Sequence, residues 1–248
     1  MAVLVTRPHP DNAATAAALR DRGVAAVLAP LLQFEAVTVA DDATQYDGLI
    51  VTSANALRAI ADHPALARWR RTSVFAVGGH TAEAARALGF ASVVAGEGGA
   101  TELPPLIAAH FAARAGVAAG RSPALLHLAG ADLAHDLSAP LDAHGIHVTV
   151  HTAYRMATVA HLPQEARDAF TAGRIDAILH FSRRSARAFV AAARADGVEI
   201  TALALPQCCL SEAVARVMHD AGAEHVVVAA APNEPAMLDT IVRALRQR

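Results

Sequence analysis

Short apolar runs bounded by glycine, proline or small polar residues recur along the chain, with stretches of helical spacing between them. The runs at residues 3–6, 25–29, 48–52, 74–77, 91–95 and 125–128 are predicted strands, as are those at 146–150, 175–181, 202–205, 208–210 and 225–229. Helices are predicted over Ala13–Arg22, Ala54–Asp62, Thr81–Leu88, Leu103–Arg114, Leu133–His144, Gln164–Ala172, Ser185–Ala195, Ser211–Ala221 and Pro235–Gln247. Gly23, Gly89, Gly145, Gly173, Gly197 and Gly222 follow helices where a left-handed cap is expected. Strand and helix alternate, which predicts parallel sheets covered on both faces, a doubly wound α/β architecture.

The chain also repeats itself. Val3–Leu32 is echoed by Leu125–His151, Tyr46–Leu57 by Ile175–Ala186, and Phe75–Ala95 by Cys209–Ala229, in the same order. Repeats of βα units at this spacing predict two similar lobes with a ligand cleft between them. Two segments break the rhythm, Gln33–Val39 and Val148–Met156; both are extended, partly alternating, and follow corresponding strands of the two repeats. If they leave one lobe for the other, the halves exchange their opening units and the first lobe is discontinuous. Periodicity leaves two tandem lobes equally open.

Composition narrows the chemistry. A hydrophobic fraction of 54% supplies two cores, although alanine makes up much of it. No apolar run approaches the ~18 residues of a membrane span. Met1–Pro8 runs directly into a strand without the basic region of a signal peptide, so a cytoplasmic protein is expected. The net charge of −2 argues against a general nucleic-acid or membrane-surface binder. Cys208 and Cys209 are adjacent, a strained arrangement for a disulfide, and read as core residues. All 21 basic residues are arginine, which excludes a Schiff-base lysine, a pyridoxal phosphate anchor and a Walker-type phosphate loop.

In parallel sheets ligands sit beyond the carboxyl ends of the strands, where helix N-termini point N–H groups outward. Small hydroxyl residues fall at such places repeatedly: Thr6-Arg7-Pro8, Thr52-Ser53-Ala54-Asn55, Gly78-Gly79-His80-Thr81, Phe181-Ser182-Arg183-Arg184 and Leu210-Ser211-Glu212. Helix capping accounts for any one of them. Five in matching places of two lobes point to a ligand as well. Arg7, Arg183 and Arg184 are positioned for bidentate carboxylate contacts or for plain solvation, and Tyr154, in the second extended segment, is a functional residue or a packing one. His147 and His151 are too far apart along a strand to grip one metal, and Gly96-Glu97-Gly98-Gly99 lacks the order of a dinucleotide loop.

Together these residues resemble the uroporphyrinogen-III synthase family. The resemblance runs through Val5-Thr6-Arg7-Pro8, Asp47–Ser53 with Asn55-Ala56, Phe75–Gly78 with Thr81, Gly130, Val150–Tyr154, Phe181-Ser182 and Leu210-Ser211. It implies two flavodoxin-like lobes joined by a two-stranded extended linker: residues 1–35 with 157–248, residues 38–150, and linkers at 33–38 and 149–157. It implies a monomeric lyase without a cofactor that closes hydroxymethylbilane, taken over from the preceding deaminase, to uroporphyrinogen III. Water is lost and ring D is inverted through a spiro intermediate. Tyr154 matches the family's linker tyrosine and becomes the catalytic candidate. Arg7, Ser53, Asn55, Gly79, Thr81, Ser182, Arg183 and Ser211 become substrate-binding candidates. Two positions depart from the family pattern: Ala134 stands where a basic residue is common, and Ser211-Glu212 where some members have threonines. A two-lobed binding or regulatory protein would share the duplication and lack turnover.

Overall fold

The computed structural model describes residues 2–41, 43–97, 99–113, 121–133 and 135–246; Gly98, Arg114, Ala134 and Gln247 lie outside the described residues. The chain opens with β1 (Ala2–Val5), α1 (Asp11–Arg20), β2 (Ala25–Leu28) and β3 (Leu32–Ala36). Next come β4 (Gly48–Val51), α2 (Ala54–Ala59), α3 (Leu66–Trp69), β5 (Ser73–Ala76), α4 (Gly79–Ala87) and β6 (Ser92–Ala95). A 3-10 turn leads into α5 (Leu103–Ala112), followed by β7 (Ala124–Gly130), α6 (Ser138–Asp142) and β8 (His147–Thr158). The remainder is α7 (Gln164–Thr171), β9 (Ile175–His180), α8 (Arg183–Ala195), α9 (Glu199–Leu203), β10 (Gln207–Cys209), α10 (Glu212–Asp220), β11 (Val226–Val228) and α11 (Glu234–Arg246).

Two sheets form, ordered β11-β10-β9-β1-β2 and β3-β8-β7-β4-β5-β6. The first is parallel throughout, and so is the second from β8 to β6. Numbered from β1, the first sheet reads 2-1-3-4-5, the flavodoxin order. The second gives the same order when β7 counts as its first strand. The opening unit β1-α1-β2 therefore sits with β9–β11, while its repeat β7-α6-β8 sits with β4–β6. The opening units of the two repeats are thus exchanged between the two sheets. The chain divides accordingly into Met1–Gln33 with Ala157–Arg248 (unit 1) and Phe34–Met156 (unit 2).

Strands β3 and β8 both cross the division. Val159 N–H donates to Leu31 O and Val37 N–H to Ala153 O, so one number rises as the other falls and the pair is antiparallel. This register sets Glu35 opposite Arg155, which form an ion pair, and Phe34 opposite Met156. The extended segment expected at 148–156 is one twelve-residue strand.

In unit 2, strand alternation sorts the core. Leu49 and Val51 face Leu57, Trp69 and Ala82, whereas Ile50 faces Leu103, Ile107 and Leu141, all buried. Unit 1 closes over Val3, Val5, Leu179, Cys208, Met237 and Ile241. Each such aliphatic side chain contributes about 1.5–3 kcal/mol by leaving water. Gly197 ends α8 at φ +71°, with its N–H on Arg194 O and that of Val198 on Ala193 O, so a residue free to be left-handed is required.

Two expectations change. Residues 202–205 are not a strand but belong to α9 and the turn after it. Gln207 Nε2 donates to Ala202 O and Leu205 O at 2.7 Å each, and Pro206 has no N–H for a ladder. The helix expected over Leu133–His144 is confined to α6, because proline is tolerated only in a first turn and Pro140 sits in this one. The short α3 carries too few residues to show a period. No helix among the described residues is long and apolar enough to cross a membrane.

Candidate functional site

Four strands end in the same way. After β4, β5, β9 and β10 the chain passes through one extended N-cap residue, at φ −156° (Ser53), −174° (Gly78), −150° (Ser182) and −157° (Ser211), and then opens a helix. The extended cap turns the first helical N–H groups beyond the strand end. Ser53 Oγ accepts from Asn55 N–H at 3.2 Å and Ser182 Oγ from Ser185 N–H at 3.1 Å, so these two are working caps. Ser211 makes no side-chain cap, and Gly78 has none to offer. The first-turn donors of α10 and α4 are thus the ones left for other acceptors. Gly79 is exposed with open space where a Cβ would stand, Thr81 is buried behind it, and Glu212 is the first residue of α10.

In unit 2 a second group of residues gathers around Tyr154. Strand β8 carries one extra residue against β7, since Ala129 pairs with Thr152 but Gly130 with Tyr154. The irregularity lays the Tyr154 ring on Gly130, where a Cβ would stand 2.8 Å from Cζ and 2.9 Å from the hydroxyl. Tyr154 O accepts from Ala131 N–H at 2.8 Å. On the same face Phe34 stacks with Tyr154 at 6.0 Å between centroids, and Arg58 of α2 lies over Phe34 at 5.1 Å. Asn55 Nδ2 reaches Met156 Sδ at 3.7 Å. The Tyr154 hydroxyl makes no hydrogen bond to a described residue, so its ring is fixed while its O–H stays available. Phe34, Arg58 and Met156 were not singled out from the sequence. The signal for Arg58 was its spacing: three residues after Asn55, it shares that helix face.

Unit 1 holds its arginine differently. Arg7 follows β1 and lies over Phe181 at 4.4 Å. Its guanidinium reaches Asp11 at 2.9 Å, Glu234 at 3.3 Å and Thr15 Oγ1 at 3.2 Å, and Thr15 Oγ1 also bonds Glu234. Two carboxylates at the first turns of α1 and α11 therefore neutralise Arg7, and the cluster ties both helices to the end of β1. Arg183 is exposed at the start of α8. Beneath Phe181 and Ser182, His180 ends β9 fully buried, with Nε2 on Gln207 Oε1 at 2.8 Å. Gln207 uses its amide N–H groups on carbonyls, so its oxygen requires a proton on His180 Nε2 and leaves Nδ1 bare. Burial pushes the His180 pKa down to about 4, and burial pushes the Cys208 thiol up to about 12. The described residues bring no cluster of metal-ligating side chains together.

Residues 13–239 match the sequence family described as Uroporphyrinogen-III synthase HemD. No curated protein sequence matches the chain. Among solved structures, a uroporphyrinogen-III synthetase from Helicobacter pylori is similar over 99% of this chain and 99% of its own, with a TM-score of 0.63 at 17% identity. A mutant uroporphyrinogen III synthase from Thermus thermophilus is similar over 100% of both chains, with a TM-score of 0.55 at 19% identity. At these identities the structures speak for the fold.

Proposed function

The chain belongs to the uroporphyrinogen-III synthase family, and from that premise we propose how its residues carry out the closure of hydroxymethylbilane to uroporphyrinogen III. The family match, spanning residues 13–239, carries the assignment. The reaction is a cyclising loss of water. The terminal hydroxyl takes up a proton and leaves, ring D attacks the methylene so exposed, and ring D gives up a proton in turn. Attack through the ring-D carbon that already bears a substituent gives a spiro intermediate, whose rearrangement inverts that ring. The bilane cyclises unaided to the uninverted isomer, so the protein's task is more one of holding than of acid strength.

Tyr154 is the group we assign to the departing hydroxyl. Its ring is clamped between Phe34 and Gly130 and its O–H is unengaged among the described residues, which suits a hydrogen-bond donor to a leaving oxygen. The substrate's carboxylates need cationic or N–H partners. The uncapped first turns of α10 at Ser211 and α4 at Gly79 supply N–H donors, and Arg183 supplies an exposed guanidinium. Ser53 and Asn55 shape the end of β4, Thr81 that of β5 and Ser182 that of β9. Arg7, neutralised by Asp11 and Glu234, fixes the end of β1. The reading carries a two-domain monomer acting in the cytoplasm on bilane handed over by the deaminase that makes it.

The test is incubation of the purified protein with hydroxymethylbilane generated in situ by that deaminase, followed by oxidation and separation of the porphyrin isomers. Isomer III in excess over protein is the expected outcome. Isomer I alone, from a folded protein, would leave a two-lobed binding protein in its place.

A further inference from the structure

Arg7 and Arg58 each stand over an aromatic ring, one in each unit, and they differ in what else they touch. Arg7, over Phe181, is bound to Asp11 and Glu234. Arg58, over Phe34, meets no carboxylate among the described residues and is exposed. Its place in the last turn of α2 is by itself an ordinary one, favourable to the helix dipole. Its surroundings are less ordinary. The ring beneath it is the one stacked on Tyr154, and Asn55, on the same helix face, touches Met156 two residues further along β8.

We propose that Arg58 is a substrate-binding residue that holds a side-chain carboxylate of the pyrrole bearing the hydroxymethyl group. The inference rests on the synthase reading given above. Stacking uses only the π face of a guanidinium and leaves its N–H donors, which lie in the plane, free for a bidentate carboxylate. The Phe34 ring also shields one face from water, which strengthens such a contact relative to a fully solvated arginine. In a chain without lysine, the side chains that carry a permanent positive charge to meet the substrate's carboxylates are arginines. This arginine is the one joined to the catalytic candidate through a shared ring.

The experiment measures KM, kcat and the ratio of isomer III to isomer I for wild type, Arg58→Gln, Arg58→Lys and Arg86→Gln, with melting temperatures for all four. Arg86 is exposed on α4 and controls for the loss of one positive charge. Loss of a charged hydrogen-bonding partner predicts a KM about tenfold or more higher for Arg58→Gln, with kcat changed by less than about threefold and more isomer I from loosened substrate. Arg58→Lys keeps the charge and the helix but not the fork, and recovers only part of that loss. A KM for Arg58→Gln and Arg58→Lys within about twofold of Arg86→Gln overturns the inference and leaves the synthase reading intact. Isomer I alone from wild type removes the synthase reading, and the inference with it.

Discussion

His180 makes the stability of the protein depend on pH in a way that can be worked out in advance. The ring is fully buried, its Nε2 proton is committed to Gln207, and Nδ1 has no hydrogen-bond partner among the described residues. A second proton would therefore enter a dry site with nothing to receive it, which is why burial lowers the pKa from 6.5 to about 4. In the unfolded chain the same side chain protonates near 6.5. As the pH falls from there towards 4, the unfolded state takes up a proton that the folded state refuses, and stability drops. At 1.36 kcal/mol per unit the full loss is about 3 kcal/mol, and about 2 kcal/mol of it is reached by pH 5. Urea unfolding of wild type and His180→Gln at about pH 7.5 and pH 5 isolates this contribution, because every other titrating group is common to both proteins. Glutamine keeps an N–H for Gln207 and does not titrate. The gap between the two proteins should move in favour of the variant by about 2 kcal/mol at the lower pH. A gap that stays constant to within about 0.5 kcal/mol would refute the argument.

Gly130→Ala places a methyl 2.8 Å from Tyr154 Cζ; the ring must shift, and isomer III formation is expected to fall about tenfold or more while the far-UV circular dichroism stays unchanged. Tyr154→Phe keeps both ring contacts and removes only the hydroxyl, so the melting temperature should hold while kcat drops by up to about a hundredfold. Gly48→Ala sets a Cβ 2.9 Å from Ser73 O and 3.1 Å from Leu125 Cδ2 in the middle of the second sheet. Overpacking of backbone there should cost about 1–3 kcal/mol in denaturant unfolding.

The fold was legible because it is written twice. The strand–helix units around Val3, Leu125, Asp47 and Asp176 reappear at fixed order, and capping glycines such as Gly197 mark helix ends without reference to anything distant. The strand expected at 202–205 failed because four apolar residues suit either a strand or a short buried helix. The side chain of Gln207, which settles the matter, acts through tertiary contacts. The turns from strand to helix are legible at Ser53, Ser182 and Ser211, which follow strands visibly. Tyr154 stands out as one of two tyrosines in an extended segment, where a functional and a packing role are equally open, and only the family likeness gives it a catalytic role. Its partners Phe34 and Arg58 come from β3 and α2, and the irregular pairing at Gly130 that joins them is set by sheet register.

The exchange of opening units has a consequence for the order in which the protein is made. Thr6, at the end of β1, bonds Leu179, 173 residues further on. Unit 2 is a single contiguous stretch, Phe34–Met156, and leaves the ribosome as one. Val3 and Val5 share their core with Met237, Leu238 and Ile241 of α11, and the whole of the other unit is synthesised in between. The contiguous unit can fold while translation continues, but β1, α1 and β2 must wait with apolar surface uncovered until β9 and α11 emerge. A pause or truncation before α11 therefore leaves one unit complete and the other with its apolar surface uncovered.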